Sequence, residues 1–218
     1  MAAEPVLLYG YWRSSSSYRV RIALNLKGIA YEQKVVHLMR DGGEQKRAEY
    51  RAVNPLGLVP ALAHGERVIV QSVAIVEYLE ERFPAPALLP ADPTGRARVR
   101  AIVQTIASEI QPLNNLAVLS YLGDPLGQDD AAVKRWYGHW VARGFTAIER
   151  WLESPATASF CHGDSPTLAD CFLVPQVDNA ERYGCDLAPY PRLMGIADTC
   201  RALEAFRLAA PEHQPDAR

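Results

Sequence analysis

Four consecutive serines, at positions 14–17, are the residues of this chain whose type and placement could do chemistry. They follow an apolar segment, residues 6–9, that predicts a strand, and precede Val20, Ala23 and Leu24, whose spacing predicts a helix. A serine at such a turn can cap the helix, which stabilises it by about 1 kcal/mol. It can also help to bind an anion or a thiolate, because a helix N-terminus carries partial positive charge and unpaired N–H groups.

The elements that must position this turn have the pattern of an α/β unit. Gly28 predicts the end of the first helix, residues 31–36 predict a second strand, and residues 45–53 predict a short helix. Two apolar segments, 57–62 and 68–70, flank a polar turn and predict a β-hairpin. The order of the elements predicts a mixed sheet with helices packed on it.

A proline and a serine mark the two ends of this hairpin. Pro60 permits a cis or a trans peptide bond before it, of which trans is the commoner form. Ser72 is the predicted N-cap of a helix whose apolar stripe is Ile75, Val76, Leu79 and Phe83. A proline-rich linker over residues 88–93 then ends the α/β part.

The rest of the chain has helical periodicity. Apolar residues over 99–110 and 133–152 predict two long helices, and Pro112 is expected to kink the first. The segment Thr167-Leu168-Ala169-Asp170 has the spacing of a capping box, for which we expect a structural role.

Length and composition fit a globular protein with one large domain or two small ones. The chain has 218 residues, of which 49% are hydrophobic and 22% charged, and a formal net charge of -2. We expect an α/β domain over residues 1–87, an all-helical domain over residues 92–218, and a frayed tail from residue 211.

Composition also argues against several function classes. A slightly acidic chain has no basic footprint for nucleic acid, and no apolar run approaches the roughly 20 residues that cross a bilayer. The first five residues lack the pattern of a signal peptide, so we expect a cytoplasmic protein. The histidines form no metal-binding motif and the cysteines have no C-x-x-C spacing, so we expect no metal and reduced, buried thiols.

A series of motifs runs along nearly the whole chain: Ser14-Ser15-Ser16-Ser17-Tyr18-Arg19-Val20-Arg21-Ile22-Ala23-Leu24, Arg40-Asp41-Gly42-Gly43-Glu44-Gln45, Asn54-Pro55, Val59-Pro60, Gln71-Ser72, Ile110-Gln111-Pro112-Leu113 and Leu173-Val174-Pro175-Gln176-Val177. In this order they resemble the zeta class of glutathione transferases, which includes maleylacetoacetate isomerase. The resemblance implies a thioredoxin-like α/β N-terminal domain with a cis-proline loop, an all-α C-terminal domain, glutathione as cofactor, and a homodimer.

The resemblance also implies an activity, the glutathione-dependent cis–trans isomerisation of maleylacetoacetate to fumarylacetoacetate in aromatic amino-acid catabolism. A thiolate that adds to the conjugated double bond lets that bond rotate and then leaves, so glutathione is regenerated. The catalytic candidates are Ser14 and Ser15, and we favour Ser14 as the residue that stabilises the thiolate. The implied glutathione contacts are Ser14, Ser15, Ser16, Ser17, Tyr18, Arg19, Gln45, Val59, Pro60, Gln71, Ser72, Gln111 and Asn115.

Arg13 and Arg182 are the implied substrate contacts, because the planar guanidinium can bind a carboxylate in a bidentate way. A surface salt bridge is the alternative for each. The chain departs from the family at Ser16, where cysteine is common, and this argues against cysteine-dependent side chemistry.

Three alternative functions stay open at this point. Maleylpyruvate isomerase would use the same mechanism on a shorter substrate, although the uncharged segment 114–117 favours the longer one. A general zeta-class transferase, or a haloacid-dehalogenating enzyme, would use the thiolate for net substitution. A non-catalytic binding module is the third, against which the intact serine run and Gln71-Ser72 argue.

Overall fold

The computed structural model describes residues 4–217, which form two compact units. The chain up to Leu88 and the segment from Ala202 onward make the first unit, and Leu89–Arg201 make the second. Residues 1–3 and Arg218 lie outside the described residues. The expectation about a signal peptide partly rests on residues 1–3.

The first unit contains a mixed sheet of four strands, as the sequence predicts. Its order is β2-β1-β3-β4, with β1 parallel to β2 and antiparallel to β3, and β3 antiparallel to β4. Short 3₁₀ helices at Arg40–Gly42 and Glu44–Lys46 precede the second helix. The strands and helices are β1 (Val6–Gly10), α1 (Ser15–Leu26), β2 (Glu32–Val35), α2 (Ala48–Arg51), β3 (Ala61–His64), β4 (Arg67–Val70) and α3 (Ser72–Arg82).

The core of this unit forms where α1 packs against α3. The apolar face of α1, which includes Val20, Ile22 and Leu24, is fully buried. Helix α1 ends just before Gly28, whose φ of 64° lies in the left-handed region that glycine tolerates. The predicted helix end is confirmed, and the burial of α1 fixes the turn at its start.

The second unit is helical. Its elements are α4 (Pro93–Gln104), a π-helical segment (Thr105–Ile110), a 3₁₀ helix (Pro112–Asn114), α5 (Leu116–Gly123), α6 (Asp130–Trp151), α7 (Leu168–Arg182) and α8 (Pro191–Arg201). The first predicted helix changes geometry before Pro112, because Gln111 N–H donates to Ile106 O at 3.0 Å, five residues back. Gly144 in α6 permits this packing, since a Cβ there would come within 2.3 Å of Ile110.

The capping box at the start of α7 is confirmed. The carboxylate of Asp170 accepts hydrogen bonds from Thr167 N at 2.7 Å and from Cys161 N at 2.9 Å. Asp170 is fully buried, and burial raises its pKa although these bonds act in the opposite direction. Its role is structural, as the spacing predicts.

The end of the chain differs from the sequence prediction. Helix α9 (Glu204–Ala209) packs on α1, and a 3₁₀ helix (Pro211–His213) follows it. Asn25 donates to Ala205 O at 2.9 Å, so the segment from Ala202 belongs with the first unit and not with the predicted domain 92–218. Residues 211–217 are packed on the protein rather than frayed, because the buried Gln214 donates to the carbonyls of Leu208 and Ala210 at 3.0 and 2.8 Å.

Residues 4–217 lack two kinds of feature. No helix there is both long and apolar enough to cross a membrane. No group of three or more His, Cys, Asp or Glu side chains there could hold a metal ion.

Candidate functional site

The serine run lies at the start of α1, where Ser14 is the N-cap. Ser14 Oγ accepts a hydrogen bond from Ser17 N at 3.2 Å, so the predicted capping role is confirmed. The N–H groups of Ser15 and Ser16 lie in the first helical turn and have no acceptor among the described residues. Because the Ser14 hydroxyl still has its own proton to donate, capping leaves three donors at this helix end for an anion.

The four serines differ in exposure. Ser14 and Ser16 are half-buried, and Ser15 is buried with 8% of its surface exposed. Ser17 is fully enclosed, with its hydroxyl 3.5 Å from Tyr11 N. The helix start therefore presents the first three serines, and it does not present Ser17.

Tyr18 and Arg19, two further predicted contacts, also point into the protein. Tyr18 donates to Phe206 O at 3.4 Å in the C-terminal segment. Arg19 is 1% exposed, and its Nη1 donates to Ser72 Oγ at 3.3 Å. Burial lowers the pKa of Arg19 to about 9, so its guanidinium stays charged at neutral pH. Because both side chains are buried, little of either could contact a ligand. Arg19 lies behind Ser72, to which it donates.

A second helix start with free donors lies at Gln71-Ser72. The N-cap of α3 is Gln71, with φ 71° and ψ 120°, and not Ser72 as the sequence predicts. The backbone turns at Gln71, so Ser72 is already the first helical residue. The N–H groups of Ser72, Val73 and Ala74 have no acceptor among residues 4–217. With the Arg19 cation beneath, these donors can bind a carboxylate.

The peptide bond between Val59 and Pro60 is cis, as the resemblance implies. Neither backbone polar group of Val59 has a partner within the described part of the chain. The preceding carbonyl, Leu58 O, accepts from Tyr50 Oη and Asn54 Nδ2, both at 2.7 Å. This fixed loop leaves the N–H and carbonyl groups of Val59 available to pair with the backbone of a peptide.

The loop before α2 carries Gln45, another predicted contact. Gln45 Nε2 donates to Leu38 O at 3.3 Å, while its buried Oε1 has no partner among the described residues. His37 Nδ1 accepts from Arg40 N at 2.9 Å, and Glu44 accepts from His37 N at 2.7 Å. His37 and Glu44 therefore hold the loop at both ends. Sequence reasoning missed this pair, although both residues flank the Asp41-Gly42-Gly43 turn.

The loop between β1 and α1 is held by Arg21, which is fully buried. Its Nη1 and Nη2 donate to the carbonyls of Tyr11 and Trp12 at 3.4 and 3.1 Å. Burial lowers the pKa of Arg21 to about 10, with Tyr31, Tyr18 and Asp216 acting in the opposite direction. A structural role for Arg21 follows.

Arg13 is exposed and its guanidinium lies over the Trp12 ring at 5.5 Å. No ion pair of Arg13 occurs among the described residues. The cation is thus free to meet a carboxylate beside the serine run.

In the second unit, Gln111 is half-buried at the end of the π-helical segment. Asn115 is the N-cap of α5, and its Oδ1 accepts from Ala117 N and Val118 N at 2.9 and 3.1 Å. On the Asn115 side chain, the amide nitrogen Nδ2 therefore remains to donate to a ligand.

Arg182, the other predicted substrate contact, is exposed at the end of α7. Its guanidinium donates to Asn179 Oδ1 and lies over the Tyr183 ring at 5.7 Å. Tyr183 in turn stacks on Tyr137, with ring centroids 3.9 Å apart. Within residues 4–217 Arg182 pairs with no carboxylate. The stacked rings of Tyr183 and Tyr137 therefore support a cation whose charge is not neutralised.

The cysteines offer no nucleophile. All four are free thiols; Cys161, Cys171 and Cys200 are buried, and Cys185 is half-buried. Burial raises the pKa of Cys161, Cys185 and Cys200. The reacting sulfur at the serine run must come from a ligand.

A thioredoxin-like unit with a cis-proline loop and a serine-bearing helix start, followed by a helical unit, is the arrangement of the glutathione transferases. Residues 8–87 match the N-terminal domain of the glutathione S-transferase family. The chain belongs to the zeta class of that family, whose members include maleylacetoacetate isomerases.

Individual relatives support this membership. A probable maleylacetoacetate isomerase of Vibrio cholerae is 50% identical over 97% of this chain and 98% of its own length. The holo structure of a zeta-class maleylpyruvate isomerase has a TM-score of 0.95 and 49% identity, covering 97% of this chain and 100% of that one. A maleylacetoacetate isomerase from Anaeromyxobacter dehalogenans, solved with glutathione in its active site, has a TM-score of 0.88 and 45% identity over 100% of both chains.

Proposed function

We propose that this chain is a glutathione-dependent cis–trans isomerase that converts maleylacetoacetate to fumarylacetoacetate. The observation that carries the proposal is the start of α1, where the Ser14 hydroxyl and the N–H groups of Ser15 and Ser16 have no acceptor among the described residues. Relatives with that activity in their names share about half of its residues over nearly the full length.

The residues of the first unit fit glutathione, a tripeptide that has a carboxylate at each end and one thiol on its central residue. Val59 offers unpaired N–H and carbonyl groups that match the backbone of the cysteinyl residue. The first turn of α3, with Arg19 beneath Ser72, matches the γ-glutamyl carboxylate. Gln45 has an unpaired Oε1 that can accept from an N–H of the ligand.

Glutathione, when bound, would supply a thiolate nucleophile for the conjugated double bond and would itself be regenerated in each cycle. The Ser14 hydroxyl would donate a hydrogen bond to that sulfur, and the helix start would add hydrogen bonds from the N–H groups of Ser15 and Ser16. These donors favour the ionised sulfur over the protonated one, so they lower the thiol pKa. Ser15 is the less exposed of the two catalytic candidates, and we assign the main contact to Ser14.

The substrate carries two carboxylates, and two arginines are assigned to them. Arg13 precedes the serine run, and Arg182 ends α7; neither has an ion-pair partner within residues 4–217. Each guanidinium lies on an aromatic ring, which restricts its orientation before a carboxylate arrives. Gln111 and Asn115 are proposed as further glutathione contacts of the second unit.

Maleylpyruvate isomerase is the second candidate, and the zeta-class structure with a TM-score of 0.95 favours it. The segment 114–117 supports the longer substrate, because it carries no charge and Asn114 is buried with its amide donating to Tyr137 O at 3.2 Å. We also propose that the protein is a cytoplasmic homodimer acting in aromatic amino-acid catabolism.

The test is the ultraviolet change during isomerisation of maleylacetoacetate and of maleylpyruvate, each with and without glutathione. We expect fast, glutathione-dependent turnover with the higher kcat/KM for maleylacetoacetate. A preference for maleylpyruvate would keep the mechanism and replace the substrate. No turnover of either, with glutathione bound, would leave a transferase, a dehalogenating enzyme or a binding module.

A further inference from the structure

The loop that leads into the serine run is tied to the far end of the chain. Trp12 N donates to Asp216 Oδ2 at 3.0 Å, across 204 positions of sequence. The other oxygen, Asp216 Oδ1, accepts from Gln33 Nε2 at 3.4 Å. One half-buried carboxylate therefore connects the β1–α1 loop to β2.

Arg21 completes this connection from the other side. While Asp216 takes the N–H of Trp12, Arg21 takes the carbonyl of the same residue at 3.1 Å. Arg21 Nε also donates to Ala209 O at 2.8 Å, in the C-terminal segment. Both backbone polar groups of Trp12 are thus held by side chains.

This arrangement reaches the reacting end of α1 through one further bond. Ser14 N donates to Tyr11 O at 3.0 Å, so the backbone of residues 11–14 forms one tight turn. A shift of Trp12 must move Ser14, and the Ser14 hydroxyl has to lie within hydrogen-bond distance of the sulfur to stabilise it. Misplacement by about 1 Å can cost a hundredfold in rate.

We propose that Asp216 is a positioning residue that sets the thiolate-stabilising geometry of Ser14 from the C-terminus. The inference rests on the proposed function for its kinetic readout. The bond from a backbone N–H to a carboxylate is charge-assisted, which makes it stronger than a bond between neutral groups. Asp216 touches neither sulfur nor substrate in this scheme and acts only through Trp12.

The test compares Asp216→Ala with Asp216→Asn, which keeps an oxygen to accept the Trp12 N–H. Glu212→Ala is the matched control, because Glu212 is an exposed carboxylate of the same segment with no hydrogen bond among the described residues. Each full-length variant is assayed for kcat and KM against pH, and the ionisation of enzyme-bound glutathione is followed by the ultraviolet absorbance of its thiolate.

For Asp216→Ala we expect kcat at neutral pH to fall roughly 10- to 100-fold, with the acidic limb of the profile and the bound-thiol pKa moved to higher pH. The KM for glutathione should change less than about twofold, since the contacts at Val59 and Ser72 are intact. Asp216→Asn should keep most of the wild-type rate, and Glu212→Ala all of it. An unmoved bound-thiol pKa in Asp216→Ala, or equal damage in Asp216→Asn, would overturn the proposal.

Two measurements keep this result separate from folding and from the proposed function. If Asp216→Ala does not fold, hydrogen exchange of the Trp12 amide in the wild-type protein tests the bond to Asp216. We expect strong protection of this amide, and exchange at the unprotected rate would contradict the bond. If the wild-type protein isomerises neither substrate, the proposed function fails, while the bound-thiol pKa still tests the role of Asp216.

Discussion

Arg19 and Ser72 join the two helix starts that form the candidate site. Arg19, in the second turn of α1, donates through Nη1 to Ser72 Oγ, in the first turn of α3, at 3.3 Å. The guanidinium is almost fully buried, so its charge is poorly screened by water. This pair places a positive charge beneath the donors assigned to the γ-glutamyl carboxylate.

Replacement of Arg19 by methionine should weaken glutathione binding more than it affects folding. Loss of the buried charge is expected to raise the Kd of glutathione roughly tenfold, which corresponds to about 1.4 kcal/mol. The thermal midpoint should change little, because burying a cation is itself costly and methionine fills similar space. Calorimetric titration and thermal unfolding check the two quantities. Unchanged affinity in a folded Arg19→Met protein would remove this role.

The Ser14→Ala variant tests capping and catalysis together, so it needs a control that loses only a cap. Asp129→Ala is that control, because Asp129 caps α6 by accepting from Ala132 N at 2.7 Å. Both variants should lose about 1 kcal/mol of unfolding free energy. Only Ser14→Ala should also lose kcat, by roughly 100-fold, with the acidic limb of its pH profile at higher pH.

Ser15→Ala distinguishes the two catalytic candidates in the same assay. We expect a smaller loss of kcat than in Ser14→Ala, because the backbone N–H of residue 15 is kept. A larger loss in Ser15→Ala would transfer the assignment to Ser15.

The Arg182→Ala variant should act on the dicarboxylate substrate alone. We expect its KM for maleylacetoacetate to rise roughly 10-fold or more, with the KM for glutathione within about twofold of the wild type. Arg143→Ala is the matched control, since Arg143 is also an exposed arginine lying over an aromatic ring, at 5.3 Å from Trp140. Equal effects of the two substitutions would assign Arg182 to the surface and not to the substrate.

His37 should affect glutathione through the loop that carries Gln45. In His37→Ala the N–H of Arg40 loses its acceptor, and we expect a several-fold higher KM for glutathione at unchanged kcat. Asparagine has a short side-chain oxygen that can accept from the same N–H, so His37→Asn should restore the wild-type KM. A wild-type KM in His37→Ala would show that the loop holds its shape without this bond.

Tyr50 gives a prediction for alkaline pH. Its phenol donates to Leu58 O, and burial raises its pKa to about 12 because the phenolate is poorly hydrated there. The folded pKa lies above the ordinary value of about 10, so the stabilisation is complete below pH 10 and is lost as pH rises towards 12. Tyr50→Phe should be about 1 kcal/mol less stable than the wild type at neutral pH, with the difference shrinking above pH 10. A difference in unfolding free energy that stays constant to pH 12 would contradict this pKa.

Local pattern was enough to predict the sheet, the hairpin and the position of the serine run at the start of α1. These features depend on periodicity and on turn residues such as Gly28, which act over a few positions. The N-cap of α3 was predicted one residue late, because the positive φ of Gln71 is not encoded in any local preference of glutamine. The burial of the Ser17 and Tyr18 side chains was also not predictable from local pattern, because it depends on the segments that pack against α1.

The C-terminal segment is the clearest case of information absent from local pattern. Residues 211–218 are polar and rich in turn formers, so they predict a frayed tail. Contacts such as Asp216 with Trp12 join positions that no local window contains. The same long-range packing moves the segment from Ala202 into the first unit.

The amount of free glutathione during turnover distinguishes isomerisation from net substitution. Maleylacetoacetate is supplied in large excess over glutathione, and the thiol concentration is followed beside the formation of product. We expect complete isomerisation with the thiol concentration unchanged at the end, because Ser14 and the start of α1 stabilise a thiolate that is returned in every cycle. Loss of one thiol for each substrate consumed, or isomerisation that continues with a thiol-blocked glutathione, would contradict it.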